Sequence, residues 1–316
     1  MNRGATAGHR GGLRRACGLS ALLALLLSGA TGATTILFIG NSFTYGEAAG
    51  AAPTVKYFRP ATVTDLNGEH LGGVPALFKA MTEQAGLDYQ VSLETAPGKG
   101  LDFHYAQRRA VLRGHYDKVL LQSYSTLDAA RPGNPQTLIK YSGLLAKSLR
   151  EINPNVDLML VATWSRADQV YRGAGPWRGT PIGQMARDVR CGYDAAAVAS
   201  AVSGHAIPVI AVGETWNRVI DSGLADPDPY DGIDAGRIDL WAPDHYHAST
   251  EGYYLAALSI FGAVTGKDPA MFGRADPVAR DLGIDGVTAA ALQRHASAQQ
   301  AAEALRRPGD GCAAAR

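Results

Sequence analysis

Five short strand-like runs recur along this chain, each followed by a stretch with helical spacing, and this alternation limits what the chain can fold into. The runs are residues 34–40 (TTILFIG), 89–95 (YQVSLET), 118–122 (KVLLQ), 156–163 (VDLMLVAT) and 207–213 (IPVIAVG). Most are apolar without a break rather than alternating, which predicts strands buried on both faces, as in a parallel sheet. Between them, Val74, Leu77, Phe78 and Met81 recur at the spacing of one helix face, and helices are predicted over residues 101–113, 136–151 and 183–203. A last strong helix is predicted over 249–264, where Leu255, Leu258, Phe261 and Val264 share a face. The pattern predicts an α/β fold, a single doubly wound (flavodoxin-like), mostly parallel five-stranded sheet flanked by helices.

The 316 residues suffice for one large core, and neither an internal repeat nor a linker divides them. The expected organisation is a signal peptide over 1–33, one domain over 34–270, and a C-terminal helical extension and tail over 271–316. In that extension an Ala-rich helix over 287–305 either packs on the body or stays loosely attached. With 46% hydrophobic and 19% charged residues, the chain is too apolar for a disordered protein. A formal charge of +1 gives no basic field for nucleic acid. No uncharged apolar stretch reaches the roughly 18 residues a membrane span needs.

Residues 1–33 read as an export signal. Arg3, Arg10, Arg14 and Arg15 precede an apolar run over 21–27, and Ser28, Gly29 and Ala30 follow it. A basic segment, a short apolar segment and small exit residues mark a cleaved secretory signal, with Ala30 or Ala33 as the cleavage position. Arg14-Arg15 leaves twin-arginine export open, although the residues after the pair fit it poorly. The expected location is secreted or periplasmic. Cleavage would remove four of the 30 basic residues and none of the 29 acidic ones, turning +1 into −3. Cys191 and Cys312 would remain where disulfides are permitted, and a bond or two free thiols fit equally well.

In an open parallel sheet, ligands bind beyond the carboxyl ends of the strands. Gly40-Asn41-Ser42-Phe43-Thr44 falls at that edge after the first strand. Glycine permits a sharp turn, and the serine hydroxyl is delivered where backbone N–H groups are free, so Ser42 is a candidate nucleophile whose own N–H can hold an oxyanion. An ordinary turn or helix cap explains the motif equally well when it is taken alone. Asp244-His245-Tyr246-His247 precedes the last helix, and Asp244 lies three residues before His247. A carboxylate there can hold one ring nitrogen of His247 and leave the other for a nucleophile, the division of labour of a serine hydrolase. Metal binding by Asp244, His245 and His247 is the weaker alternative, because no further histidine or cysteine cluster completes a site. Gly98, after the second strand, and Gln122, after the third, are candidate oxyanion donors.

Taken together these residues resemble the SGNH hydrolases, or GDSL-type esterases, in a branch classed as a domain of unknown function. Gly40-Asn41-Ser42-Phe43-Thr44 resembles a variant first block, and Asp244-x-x-His247 the last block, whose Asp and His complete a triad with the first-block serine. Gly98-Lys99-Gly100-Leu101 with His104 resembles the second block, which implies Gly98 as an oxyanion donor. The usual Gly-x-Asn-Asp third block is absent, and Leu121-Gln122-Ser123-Tyr124-Ser125 stands in its place, which leaves the role of Gln122 open. The α/β-hydrolase elbow Gly-x-Ser-x-Gly is absent too. The resemblance implies a serine esterase acting without metal or cofactor on small-molecule or polysaccharide esters, with short acyl groups on glycans as the expected substrates. The competing expectation is a non-catalytic protein of the same fold that binds a glycan or an anion.

Other features carry less. Residues 221–244 hold seven aspartates against one arginine, and Asp226, Asp228, Asp231 and Asp234 loosely suggest a calcium loop without EF-hand spacing. Trp164, Trp177, Trp216 and Trp241 lie in or next to loops after strands, where they either wall a substrate site or cover the sheet's edge. Residues 173–179 (GAGPWRG) lack the ending of a phosphate loop, and Glu214 is either a substrate contact or a helix-start acid.

Overall fold

Thr34–Gly40 forms the first strand, β1, and its Ile36, Leu37, Phe38 and Ile39 are all buried, as an unbroken apolar run requires. β3 (Tyr89–Thr95), β4 (Lys118–Leu121), β5 (Asp157–Ala162) and β6 (Val209–Ala211) follow the other predicted runs. The structure is a computed structural model that describes residues 1, 4–8, 32–48, 54–201 and 206–312. The export signal falls almost wholly outside the described residues, as does the end of the helix predicted over 183–203.

The sheet has six strands rather than five, in the order β2-β3-β1-β4-β5-β6, and every pair is parallel. The added strand, β2 (Thr64–Asp65), is a two-residue edge pairing Thr64 with Ser92. It carries no apolar run because an edge strand has little to bury, and a short polar edge also resists pairing with other chains. β6 is shorter than predicted, since α6 (Val212–Asp221) begins directly after it. Val212, Trp216, Val219 and Ile220 are buried at helical spacing, and that periodicity prevails over the β-branched run.

The order reverses at β1. The chain passes from β1 to β3 on one side and then crosses to β4 on the other, so the carboxyl ends of these three strands border a crevice. Helices α1 (Ser42–Tyr45), α2 (Gly73–Gln84), α3 (Leu101–Gln107), α4 (Gln136–Ile152) and α5 (Ile182–Ala199) return the chain between strands. After α6, a long loop leads to α7 (Thr250–Thr265), and α8 (Pro277–Asp281) and α9 (Gly286–Glu303) end the fold.

The C-terminal extension is packed, not loose. Ala289, Leu292 and Ala296 of α9 are buried in the main core, and α9 lies against α6 and α7. Buried Arg190 on α5 bonds Asp194 at 2.8 Å, Glu214 at 3.2 Å and Glu303 at 2.8 Å. Arg306 returns to Glu214 at 2.8 Å and Asp194 at 3.0 Å, so Glu214 is a helix-start acid held by two arginines. A disulfide joins Cys191 to Cys312 across 121 positions, and thus the tail is tied to α5 covalently as well as ionically. Replacing Cys312 with serine is expected to cost about 2–4 kcal/mol, because the open chain regains its entropy when unfolded. Thermal melts of the variant and of reduced wild type should both fall by roughly 5–10 °C, and an unchanged Tm would show that the ionic contacts suffice.

The four tryptophans belong to the core. Trp164, Trp177, Trp216 and Trp241 are only 1–2% exposed, which removes them as a substrate wall. Phe43 stacks on Trp164 at 4.4 Å, Trp164 on Trp216 at 4.8 Å, and Trp216 meets Trp241 edge-on at 5.5 Å. This column runs from α1 to the loop before α7 and supports the turn carrying Ser42 from beneath.

Candidate functional site

The turn after β1 is built by close contacts that only particular residues allow. Asn41 is extended and caps α1, its Oδ1 accepting from the Phe43 N–H at 3.1 Å. Ser42 is then the first helical residue, with no carbonyl four residues back to take its N–H. A Cβ on Gly40 would lie 2.1 Å from Thr44 Oγ1 and 2.6 Å from Gln122 Oε1, so glycine is required there.

Asn41 also reaches outward. Its Nδ2 donates to the Lys99 carbonyl at 2.8 Å and to the Ser123 carbonyl at 3.2 Å, joining the loops after β3 and β4 to the residue beside Ser42. The loop after β3 turns at Gly98, whose φ of +67° is left-handed and favours glycine. Lys99 N–H donates to Ala96 O at 3.2 Å, and Leu101 N–H to Ser123 Oγ at 3.3 Å.

Gln122 is placed differently from Gly98. Its Oε1 accepts from both the Asn41 N–H and Thr44 Oγ1 at 3.0 Å, and its Nε2 donates to the Ser123 carbonyl. The carboxamide is therefore bound at both ends beneath the Ser42 turn.

His247 and Asp244 meet as expected. His247 Nδ1 lies 2.6 Å from Asp244 Oδ2, while Asp244 Oδ1 accepts from the N–H groups of Tyr246 at 3.0 Å and His247 at 2.9 Å. Burial alone would raise the Asp244 carboxyl, but these hydrogen bonds outweigh it and hold the group below its ordinary value. An ionised carboxylate only accepts, so the ring nitrogen facing it carries a proton, and in the neutral tautomer this fixes, Nε2 holds the lone pair. Nε2 is buried and makes no hydrogen bond, so Ser42 and His247 are not hydrogen-bonded to each other. Their elements touch through Phe43, whose ring centre lies 5.7 Å from that of His247.

Two contributors were invisible in the sequence. Tyr253, on α7, donates to the Glu47 carbonyl at 2.6 Å with the Ser42 carbonyl also within reach of its hydroxyl at 3.2 Å, linking the helix that follows His247 to the serine's turn. Burial holds its phenol well above the ordinary value, so it remains a donor. Tyr246 lies between His247 at 4.1 Å and the Arg166 guanidinium at 3.6 Å, and Arg166 is itself fixed to Asp168 at 2.6 and 2.9 Å. Tyr253 reads as one more apolar position of a core helix, and Arg166 lies far from Tyr246 along the chain, so no spacing rule would find either.

The alternative metal sets come apart. The His245 ring packs on Tyr230 at 4.2 Å, while Asp226 accepts backbone N–H groups of Asp228 at 3.0 Å and Asp234 at 2.9 Å. Among the described residues, no group of three or more His, Cys, Asp or Glu side chains is placed to hold a metal ion. A groove of about 810 Å³, lined by Glu214, Arg218, His295 and neighbours, shares no residue with the Ser42 region. Among the described residues no helix is long and apolar enough to cross a membrane.

Fold and site together define a doubly wound α/β protein with a serine and an Asp-His pair at the carboxyl edge of its sheet. No family model and no curated protein matches the chain. Among solved structures, a DUF4886 family protein from Bacteroides uniformis matches with a TM-score of 0.54 and 16% identity, over 84% of this chain and 94% of its own. That likeness shows a shared fold, the doubly wound α/β sheet expected from the alternating strands and helices. TesA matches at a TM-score of 0.46 and 13% identity, over 74% of this chain and 99% of its own. A two-domain esterase active on acetylated mannans matches at 0.43 and 17%, over 74% of this chain and 49% of its own.

Proposed function

We propose that this chain is an exported serine esterase of the SGNH type, acting on short acyl esters of glycans. The observation that carries the reading is the Asp244–His247 pair, closed at 2.6 Å with Nε2 unengaged, on a loop that packs against the Ser42 turn. Ser42 Oγ attacks the ester carbonyl as His247 Nε2 takes its proton, and Asp244 holds the imidazolium that forms. The oxyanion accepts from the Ser42 and Gly98 N–H groups, and the departing alcohol takes the proton from Nε2. Water then repeats the sequence and frees the acid. Catalytic hydrogen bonds that are open in the free protein commonly tighten with substrate, which accommodates the unpaired Nε2. We assign Gln122 to bracing the turn, because both ends of its amide are bound beneath it.

The test is covalent labelling of the mature protein by a fluorophosphonate, with the adduct mapped by mass spectrometry. Hydrolysis of p-nitrophenyl acetate, butyrate and octanoate and of acetylated mannan is followed in parallel, with and without EDTA. The esterase reading expects an adduct on Ser42 and EDTA-resistant turnover that is fastest with acetate. The engaged Gln122 amide favours a second reading, a glycan- or anion-binding protein without turnover. No adduct and no hydrolysis from folded protein would decide for it.

A further inference from the structure

Glu94 and His104 form a second carboxylate–imidazole pair, separate from Asp244 and His247. His104 Nδ1 is hydrogen-bonded to Glu94 Oε2, and both side chains are 0% exposed. Arg108 Nε, one turn further on at the residue that caps the end of α3, lies 3.5 Å from the other Glu94 oxygen. Burying a carboxyl and an imidazole this completely is costly unless the two groups satisfy each other by hydrogen bonding. His104 Nε2 has no hydrogen-bond partner and is buried, so the pair offers no face to a substrate.

Its place in the chain points to what it does. Glu94 is the next-to-last residue of β3, level with Ile39 of β1, and His104 is the fourth residue of α3. The bond closes the two ends of the excursion over residues 95–103, and Gly98 lies near its middle. The crown of the same excursion is held by the Asn41 Nδ2 bond to Lys99 O at 2.8 Å, and its return by Ser123 Oγ accepting from Leu101 N–H at 3.3 Å. Without the pair, the strand side of the excursion would still be held by the Ala96 N–H bond to Gly40 O at 3.0 Å, but α3 would lose its buried tie to β3 on the return side of the glycine-rich stretch 98–100.

We propose that Glu94 and His104 are positioning residues, holding the Gly98 N–H in register with Ser42 as the second oxyanion donor. This rests on the esterase reading. His104→Ala is expected to lower kcat for p-nitrophenyl acetate by about 10²-fold, as a displaced donor does, with KM within about threefold of wild type. In His104→Asn the amide nitrogen stands where Nδ1 stood and can still donate to Glu94. This variant should recover kcat to within about fivefold, whereas His104→Gln, whose amide reaches the Nε2 position, should not. The Gly98 amide ¹⁵N order parameter should fall from a rigid value of about 0.85 to below about 0.6 in the alanine variant and return in the asparagine variant.

A rigid Gly98 in His104→Ala overturns the proposal whatever the activity. So does an asparagine variant with wild-type Tm that stays as impaired as alanine. If His104→Ala does not fold, equal kcat and equal Gly98 order parameters for the asparagine and glutamine variants overturn it. Ser42→Ala that hydrolyses esters like wild type defeats the esterase reading instead, and the Gly98 measurement still reports on the clamp.

Discussion

Replacing Ser42 with alanine is expected to lower kcat for ester hydrolysis by at least about 10⁴-fold while the protein melts as wild type. The hydroxyl makes no bond that the fold depends on, since the turn is held by Asn41, Gln122 and Tyr253 through other atoms. Asp244→Asn should be nearly as damaging, by about 10⁴-fold, for a different reason. An amide nitrogen facing Nδ1 would take the proton's place, leaving the ring proton on Nε2 and removing the lone pair that must accept from serine. Steady-state kinetics on p-nitrophenyl acetate, with melting curves for each variant, make the check. Turnover that survives Ser42→Ala would remove the serine mechanism, and turnover that survives only Asp244→Asn would leave His247 oriented by its ring contacts alone.

The second large effect is expected at a residue that touches no substrate. Asn41→Asp is nearly isosteric, yet it replaces an amide that donates to two carbonyls with a group that accepts. Lys99 O and Ser123 O would then both face the carboxylate oxygen that replaces Nδ2, at about the present 2.8 and 3.2 Å. Leaving a buried charge uncompensated costs on the order of 3–5 kcal/mol. Protonation relieves it only in part, because a carboxylic acid has one hydrogen for two acceptors. Denaturant unfolding should show that loss, and the surviving folded fraction should turn over slowly, since the Gly98 loop has lost its tie to the Ser42 turn. Wild-type stability would mean that the loops after β3 and β4 are positioned without Asn41.

The sheet was legible because its evidence is local. Unbroken apolar runs such as TTILFIG mark strands buried on both faces, and β1 and β3 begin and end where those runs do. The edge strand at Thr64–Asp65 left no such mark, having almost nothing to bury. At residues 207–213 two periodicities overlap, and helical spacing from Val212 onward prevailed. Asp244 and His247 were readable as a pair because three residues along a turn bring side chains together whatever surrounds them.

Residue types and short spacings by themselves determined the alternating strands and helices, the carboxyl-edge position of Ser42, and the Asp244–His247 pair. Tertiary structure alone decided the Cys191–Cys312 bond, the burial of all four tryptophans, the inward turn of Gln122, the clamp between Glu94 and His104, and the reach of Tyr253 from α7 to the serine turn. The physical reason is range. Backbone periodicity acts within a few residues, whereas a side chain's hydrogen-bond partner is set by which loops the sheet's crossovers bring to one edge. No spacing in the sequence encodes that.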